Sequence, residues 1–187
     1  MSVKEYTGKI LDELTYNLRY ISDDAISRLS AMLLDADHIF TAGAGRSGVA
    51  IKAFTNRLMH LGFSVSSVGE ISSPHTKEGD LLLIGSGSGE TESLAAMAEK
   101  AKRNGVNLAL VTMDEESTIA RLADVVVVLP GVSPKLRKKG MEITSIQPMG
   151  SAFEQISFLM YDGMIMELME RMGETSDSMF GRHADLE

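Results

Sequence analysis

The chain has 187 residues, 44% of them hydrophobic and 24% charged, with a formal charge of −8 and no cysteine. That length supports a sizeable core, and the lack of cysteine excludes disulfides, thiolate metal sites and a thiol nucleophile. Net negative charge speaks against a broad nucleic-acid surface, and no apolar run approaches the ~20 residues that span a bilayer. The first residues show no basic region leading into an apolar run, so a cytoplasmic protein without nucleic-acid or membrane partners is expected.

Ile10, Leu11, Leu14, Leu18 and Ile21 recur at helical spacing and predict an amphipathic helix within residues 3–21. Ser22-Asp23-Asp24 offers a cap for a second helix that uses Ile26, Leu29, Met32 and Leu33. These two helices form an N-terminal arm, residues 1–36, whose apolar face must pack on something. His38 to Ala42 is the first strand, Gly43 to Gly48 a tight loop, and Val49 to Leu61 a helix. Phe63 to Val68 reads as the second strand and Leu81 to Ile84 as the third. A helix of strong formers from Glu92 to Lys102 stops at Asn104-Gly105, and Val106 to Thr112 is the fourth strand. A short helix from Ser117 is expected to lead to the fifth strand, Val125 to Leu129. Residues 130–148 are irregular and hold the basic run Lys135 to Lys139, read as a solvated loop. Ser151 to Met172 is a long final helix, and Gly173 opens a polar tail, residues 173–187. The methionines of that helix (Met160, Met164, Met166, Met169 and Met172) are expected in core or subunit interface.

Strands that alternate with helices and are apolar on both faces predict an α/β fold: a five-stranded parallel sheet flanked by helices on both faces. A single domain is expected, with residues 37–172 forming the sheet core and final helix.

Two loops carry chemistry. Gly85-Ser86-Gly87-Ser88-Gly89-Glu90-Thr91 follows a buried strand and opens a helix. A helix start leaves backbone N–H groups unpaired and carries partial positive charge, so it suits a phosphate or carboxylate. Glycine lets the backbone approach an anion, and Ser86, Ser88 and Thr91 can each donate a hydroxyl. A plain connector would need only one or two such residues. Gly43-x-Gly45-x-x-Gly48, with Glu70 at the end of the second strand, matches the dinucleotide-binding fingerprint. The second hydroxyl-rich loop has no job in that scheme, and five strands leave no accompanying substrate domain. NAD binding is therefore disfavoured. No Walker lysine follows either loop.

With both loops read, the chain resembles the sugar isomerase (SIS) domain family, and within it the group of 6-phospho-3-hexuloisomerases. The resemblance rests on Gly43 to Gly48, Asn56-Arg57-Leu58-Met59-His60-Leu61-Gly62, Val68-Gly69-Glu70, Gly85 to Thr91, Gln147-Pro148-Met149-Gly150-Ser151-Ala152-Phe153-Glu154, and the ending Arg182 to Glu187. It implies a SIS-type three-layer sandwich and interconversion of D-arabino-hex-3-ulose 6-phosphate with D-fructose 6-phosphate, without metal or organic cofactor. It also implies a step of the ribulose monophosphate route (formaldehyde fixation or pentose supply) and a homotetramer.

Moving a carbonyl from C3 to C2 requires a base to remove the C2 proton, donors at the two oxygens of an enediolate, and an anchor for the phosphate. Ser47, Ser86, Ser88 and Thr91 are the expected anchor. Gly45, Arg46, Gly87, Gly89, Glu90 and His183 are further pocket candidates. By resemblance Glu154 is the candidate base, although Ser151-x-x-Glu154 also reads as a capping box in which the glutamate only satisfies a backbone N–H. His60 is the candidate acid or oxygen polariser, with His183 its rival; His38 and His75 have no motif to recommend them. His60 lies 13 residues after Ser47, about 20 Å along a helix, so it is expected to serve a neighbouring subunit's site. Two other readings stay open: a non-catalytic sugar-phosphate sensor, favoured if Glu154 points away from the anion loop, and an isomerase of another phosphosugar such as arabinose 5-phosphate.

Overall fold

The structure, a computed structural model, describes residues 1–133 and 144–186; the basic run Lys135 to Lys139 lies outside them. Five parallel strands, β1 (Ile39–Gly43), β2 (Val65–Ser67), β3 (Leu81–Gly85), β4 (Asn107–Thr112) and β5 (Val125–Val128), pair in the order β2-β1-β3-β4-β5. Alternate residues of each strand feed two cores. Ile39, Leu81, Leu83, Ala109, Val111 and Val127 pack with the helices α1 (Val3–Asn17), α2 (Asp23–Asp35), α3 (Gly45–His60) and α5 (Ser151–Met172). Phe40, Leu82, Ile84, Leu108 and Leu110 pack under α4 (Glu92–Arg103). This double burial explains why the strands read as continuous apolar runs.

The helix limits follow local chemistry. Ser2 and Glu5 form a capping box on α1, and Ser22 accepts from the Ala25 N–H to start α2. At the end of α3, Gly62 adopts φ +94°, while the Gly62 and Phe63 N–H groups donate to the Met59 and Leu58 carbonyls. This paired closure takes Phe63 into the helix end, so β2 begins at Val65 and is shorter than expected. It also fixes His60 as the last residue of α3.

Two expectations are corrected. Residues 115–122 form successive turns in place of a short helix from Ser117. The segment is tied to the anion loop through the Thr118 N–H to the Glu90 carboxylate and the Ile119 N–H to the Gly89 carbonyl, and its own bonds mix three- and four-residue spans (Leu122 N–H to Ile119, Arg121 N–H to Ser117), so no regular helix propagates. The polar tail also contains a helical turn, α6 (Ser176–Phe180), capped by Thr175 and anchored by buried Met179. In α5, Met160 and Met164 enter the core, whereas Met166 points outward. Among the described residues, no helix is long and apolar enough to cross a membrane.

Candidate active site

β1 and β3 are neighbours, and their register pairs Gly43 with Gly85, so the two glycine loops leave the sheet side by side. The strand order reverses direction here, between β1 and β3, which is where open α/β sheets receive ligands. Glycine is required for this closeness. A Cβ on Gly48 would stand 2.7 Å from the Gly43 carbonyl oxygen, and one on Gly43 would stand 2.9 Å from Gly48 Cα. The first loop's fingerprint glycines therefore seat α3 against β1.

A cleft of about 170 Å³ opens between the loops. Ser47, Ser86, Gly87, Ser88, Thr91 and Glu154 all line it, so the four expected anchor hydroxyls and the expected base face one space. Ser86 is buried, and its Oγ accepts from the Gly89 N–H; Ser88 Oγ accepts from the Glu90 N–H. Each hydroxyl is thus held by a backbone donor and keeps its own proton for a ligand. Thr91 is the N-cap residue of α4 without a side-chain cap bond to it. The helix start and the Thr91 hydroxyl accordingly face the cleft together.

Glu154 sits in the first turn of α5, but the capping box does not form: Gly150 is the N-cap residue and no side chain caps the helix. The Glu154 carboxylate instead accepts a hydrogen bond from Arg46 Nε at the start of α3. Arg46 does not line the cleft; it and Glu154 border a neighbouring groove. Glu154 lines the same cleft as the anion loop.

Other expected residues lie elsewhere. Gly45 takes φ +57° at the turn into α3, and Gly89 takes φ +62° within the second loop; neither lines the cleft. Glu90 carries its carboxylate away to the Thr118 N–H, 2.7 Å off. Sequence reasoning missed Ser133, Met113 and Phe153, which complete the walls. Ser133 falls in the irregular stretch after β5, where spacing carries no signal; Met113 directly follows β4, and Phe153 lies within the segment Gln147 to Glu154 but is apolar and carries no chemistry to mark it.

His60 is far from this cleft, as its position in the chain predicts. It is 4% exposed at the end of α3 and stacks on His183 at 5.2 Å between ring centroids, while Phe180 stacks on His183 in turn. Arg57, Ser176 and Ile165 help to line a separate hollow of about 230 Å³ beside this stack. The two expected histidine rivals are therefore neighbours. Burial, and then the nearby Arg57 guanidinium and His183 ring, push the His60 imidazole below its ordinary value. Arg182 fastens the tail here, donating to the His60 carbonyl at 2.8 Å and forking onto both Glu174 oxygens. The Arg182 and Ser178 hydrogen bonds hold the Glu174 carboxyl down at about 2.

The SIS domain family model matches residues 32–158. The chain belongs to the SIS domain family. This SIS chain is 49% identical to the 3-hexulose-6-phosphate isomerase of Bacillus subtilis (strain 168), the match covering the whole of both chains. It is 34% identical to the 3-hexulose-6-phosphate isomerase of Mycobacterium gastri, over 94% of this chain and 92% of that one. Among solved structures, it superposes with a TM-score of 0.83 on a Methanococcus jannaschii protein at 29% identity, over 98% of this chain and 99% of that one. That structure is described as inferring a molecular function of 3-hexulose-6-phosphate isomerase. The five-stranded SIS sheet seen here is shared with it.

Proposed function

We propose that this SIS chain is a 3-hexulose-6-phosphate isomerase, interconverting D-arabino-hex-3-ulose 6-phosphate and D-fructose 6-phosphate. The observation that carries this reading is the convergence of Glu154 with the hydroxyls of Ser47, Ser86, Ser88 and Thr91 on one cleft at the β1/β3 switch. Full-length identity to the Bacillus enzyme supports the choice among phosphosugars.

The phosphate sits between the starts of α3 and α4, where hydroxyls and helix-end N–H groups oppose its charge. Anchored there, the sugar extends toward the cleft mouth and Glu154. Binding energy from the unreactive phosphate holds C2 and C3 in register with the base. Glu154 removes the C2 proton, leaving an enediolate with its charge on O3; the O2 proton passes to O3, and return of a proton from Glu154 to C3 leaves the carbonyl at C2. The oxygens need a donor, which His60 supplies. Because His60 lies about 20 Å from Ser47 along α3, the donor is His60 of the partner subunit.

That reach supports sites shared between subunits, and the family resemblance supports a homotetramer. It also accounts for apolar surface left uncovered on one chain. Exposed Leu11, Val49, Phe158 and Leu159 line an apolar groove of about 580 Å³ that runs directly beside Arg46 and Glu154. Closed symmetry is the usual means of burying such a face. The cytoplasmic ribulose monophosphate route is the metabolic setting that fits this reaction.

A coupled assay supplying hexulose 6-phosphate and reading fructose 6-phosphate tests the function. Turnover with this substrate and none with arabinose 5-phosphate is expected. The reverse preference would assign the chain to the other isomerisation, and phosphosugar binding without turnover of either would make it a sensor.

A further inference from the structure

The segment after β4 is bound to the anion loop along its length. Gly87 O accepts from the Met113 N–H at 3.0 Å and from Thr112 Oγ1 at 3.2 Å. Gly89 O accepts from the Ile119 N–H at 3.2 Å, and Glu90 Oε1 from the Thr118 N–H at 2.7 Å. A Cβ on Gly89 would stand only 2.0 Å from Ser117 Oγ, so the two segments are keyed together without spare room. Three of these bonds use backbone carbonyls or a buried threonine. The fourth uses an exposed acidic side chain, Glu90, which lies between the cleft-lining Ser88 and Thr91.

A carboxylate beside a loop that receives a phosphate is electrostatically adverse unless it is committed elsewhere. Here it is committed: its oxygen accepts the Thr118 N–H, on the side of the loop away from the cleft lining. The same residue's N–H donates to Ser88 Oγ at 3.3 Å, leaving the Ser88 proton for a ligand. Fixing the Glu90 side chain therefore also fixes the backbone that orients Ser88.

We infer that Glu90 is a positioning residue whose carboxylate clasps the Thr118 backbone and holds the 86–91 loop in its phosphate-receiving shape. The inference rests on the reading of that loop as the phosphate seat. It assigns Glu90 no contact with substrate and no proton transfer.

The test compares Glu90→Ala with Glu90→Gln in the full chain, since glutamine keeps an oxygen able to accept the Thr118 N–H. Three quantities are read: binding of inorganic phosphate and fructose 6-phosphate by calorimetry, KM and kcat with hexulose 6-phosphate, and amide exchange across residues 86–91. Losing one hydrogen bond to a charged group corresponds to roughly a tenfold weakening. Glu90→Ala should therefore raise Kd for both ligands and KM about fivefold to tenfold, change kcat less than threefold, and speed exchange at Ser88 and Gly89. Glu90→Gln should restore all of these to within about twofold. The clasp is refuted if Glu90→Ala binds phosphate like the wild type, if Glu90→Gln fails alongside it, or if kcat alone collapses. If the wild type binds phosphate but does not turn over hexulose 6-phosphate, the functional reading fails while the binding and exchange arms still decide the clasp.

Discussion

The two ends of α3 are held by different means. At its start, backbone meets backbone: Gly43 and Gly48 touch, Gly43 pairs with Gly85, and neither position admits a Cβ without displacement. At its end, a turn closes through Gly62 and the tail is then strapped on by the Arg182 side chain. The first arrangement is rigid by construction and suits an invariant task, gripping a phosphate. The second depends on side chains and a chain terminus, and it holds the His60 imidazole, 4% exposed, against His183 beside a hollow. In the proposed mechanism a single helix carries two half-sites, each needing the other from a second chain.

The largest expected effect separates chemistry from grip. Glu154→Gln keeps the hydrogen-bonding shape of the side chain but not its basicity, so turnover should fall about 10²–10⁴-fold with fructose 6-phosphate affinity near wild type. Near-normal turnover would leave Glu154 only its link to Arg46. A smaller effect is expected within the grip: Ser88→Ala removes one charge-assisted bond and should weaken fructose 6-phosphate binding roughly tenfold. Calorimetry showing unchanged affinity would empty the cleft of its assigned ligand.

Arg182→Ala tests the other end alone. Loosening the tail should lower kcat about fivefold by misplacing His60, accelerate amide exchange over residues 174–183, and leave phosphate affinity untouched. Loss of phosphate affinity in this variant would contradict the separation of the two ends. The smallest effect concerns pH. Burial pushes both His38 and His60 below the ordinary imidazole value of 6.5. The unfolded chain therefore binds more protons than the native one as pH falls through that region. Stability from these two residues is complete above about pH 6.5 and is lost as pH drops through their lowered native values. Tm should decline on the acid side of pH 6.5, and a Tm that rises there would contradict the assignment.

Much of this was legible in the sequence because it rests on local rules. Apolar runs located the strands, and two glycine loops after strands marked the switch point. The 13-residue interval from Ser47 to His60 already showed that one helix could not bring both to one site. What escaped depends on distant partners. Ser151-x-x-Glu154 has the pattern of a capping box, yet Arg46, 108 residues away, takes the carboxylate. The residues after Ser117 have helical character, yet packed against the anion loop they close into turns whose bonds mix three- and four-residue spans. Glu90 looked like a pocket residue by its place in the motif, and only the fold shows where its side chain goes. Tail residues that read as polar and irregular include Met179, which the core buries.

The central claim is that a working site joins the Glu154 end of one chain to the His60 end of another. Mixing His60→Ala and Glu154→Gln chains, each inactive alone, after dissociation and reassembly tests it most directly. Hybrids contain some sites with both residues intact, so activity should return to a substantial fraction of the wild-type value and track the mixing ratio. A mixture that stays inactive although the two chains are shown to co-assemble would contradict the claim and place both residues in service of the same chain's site.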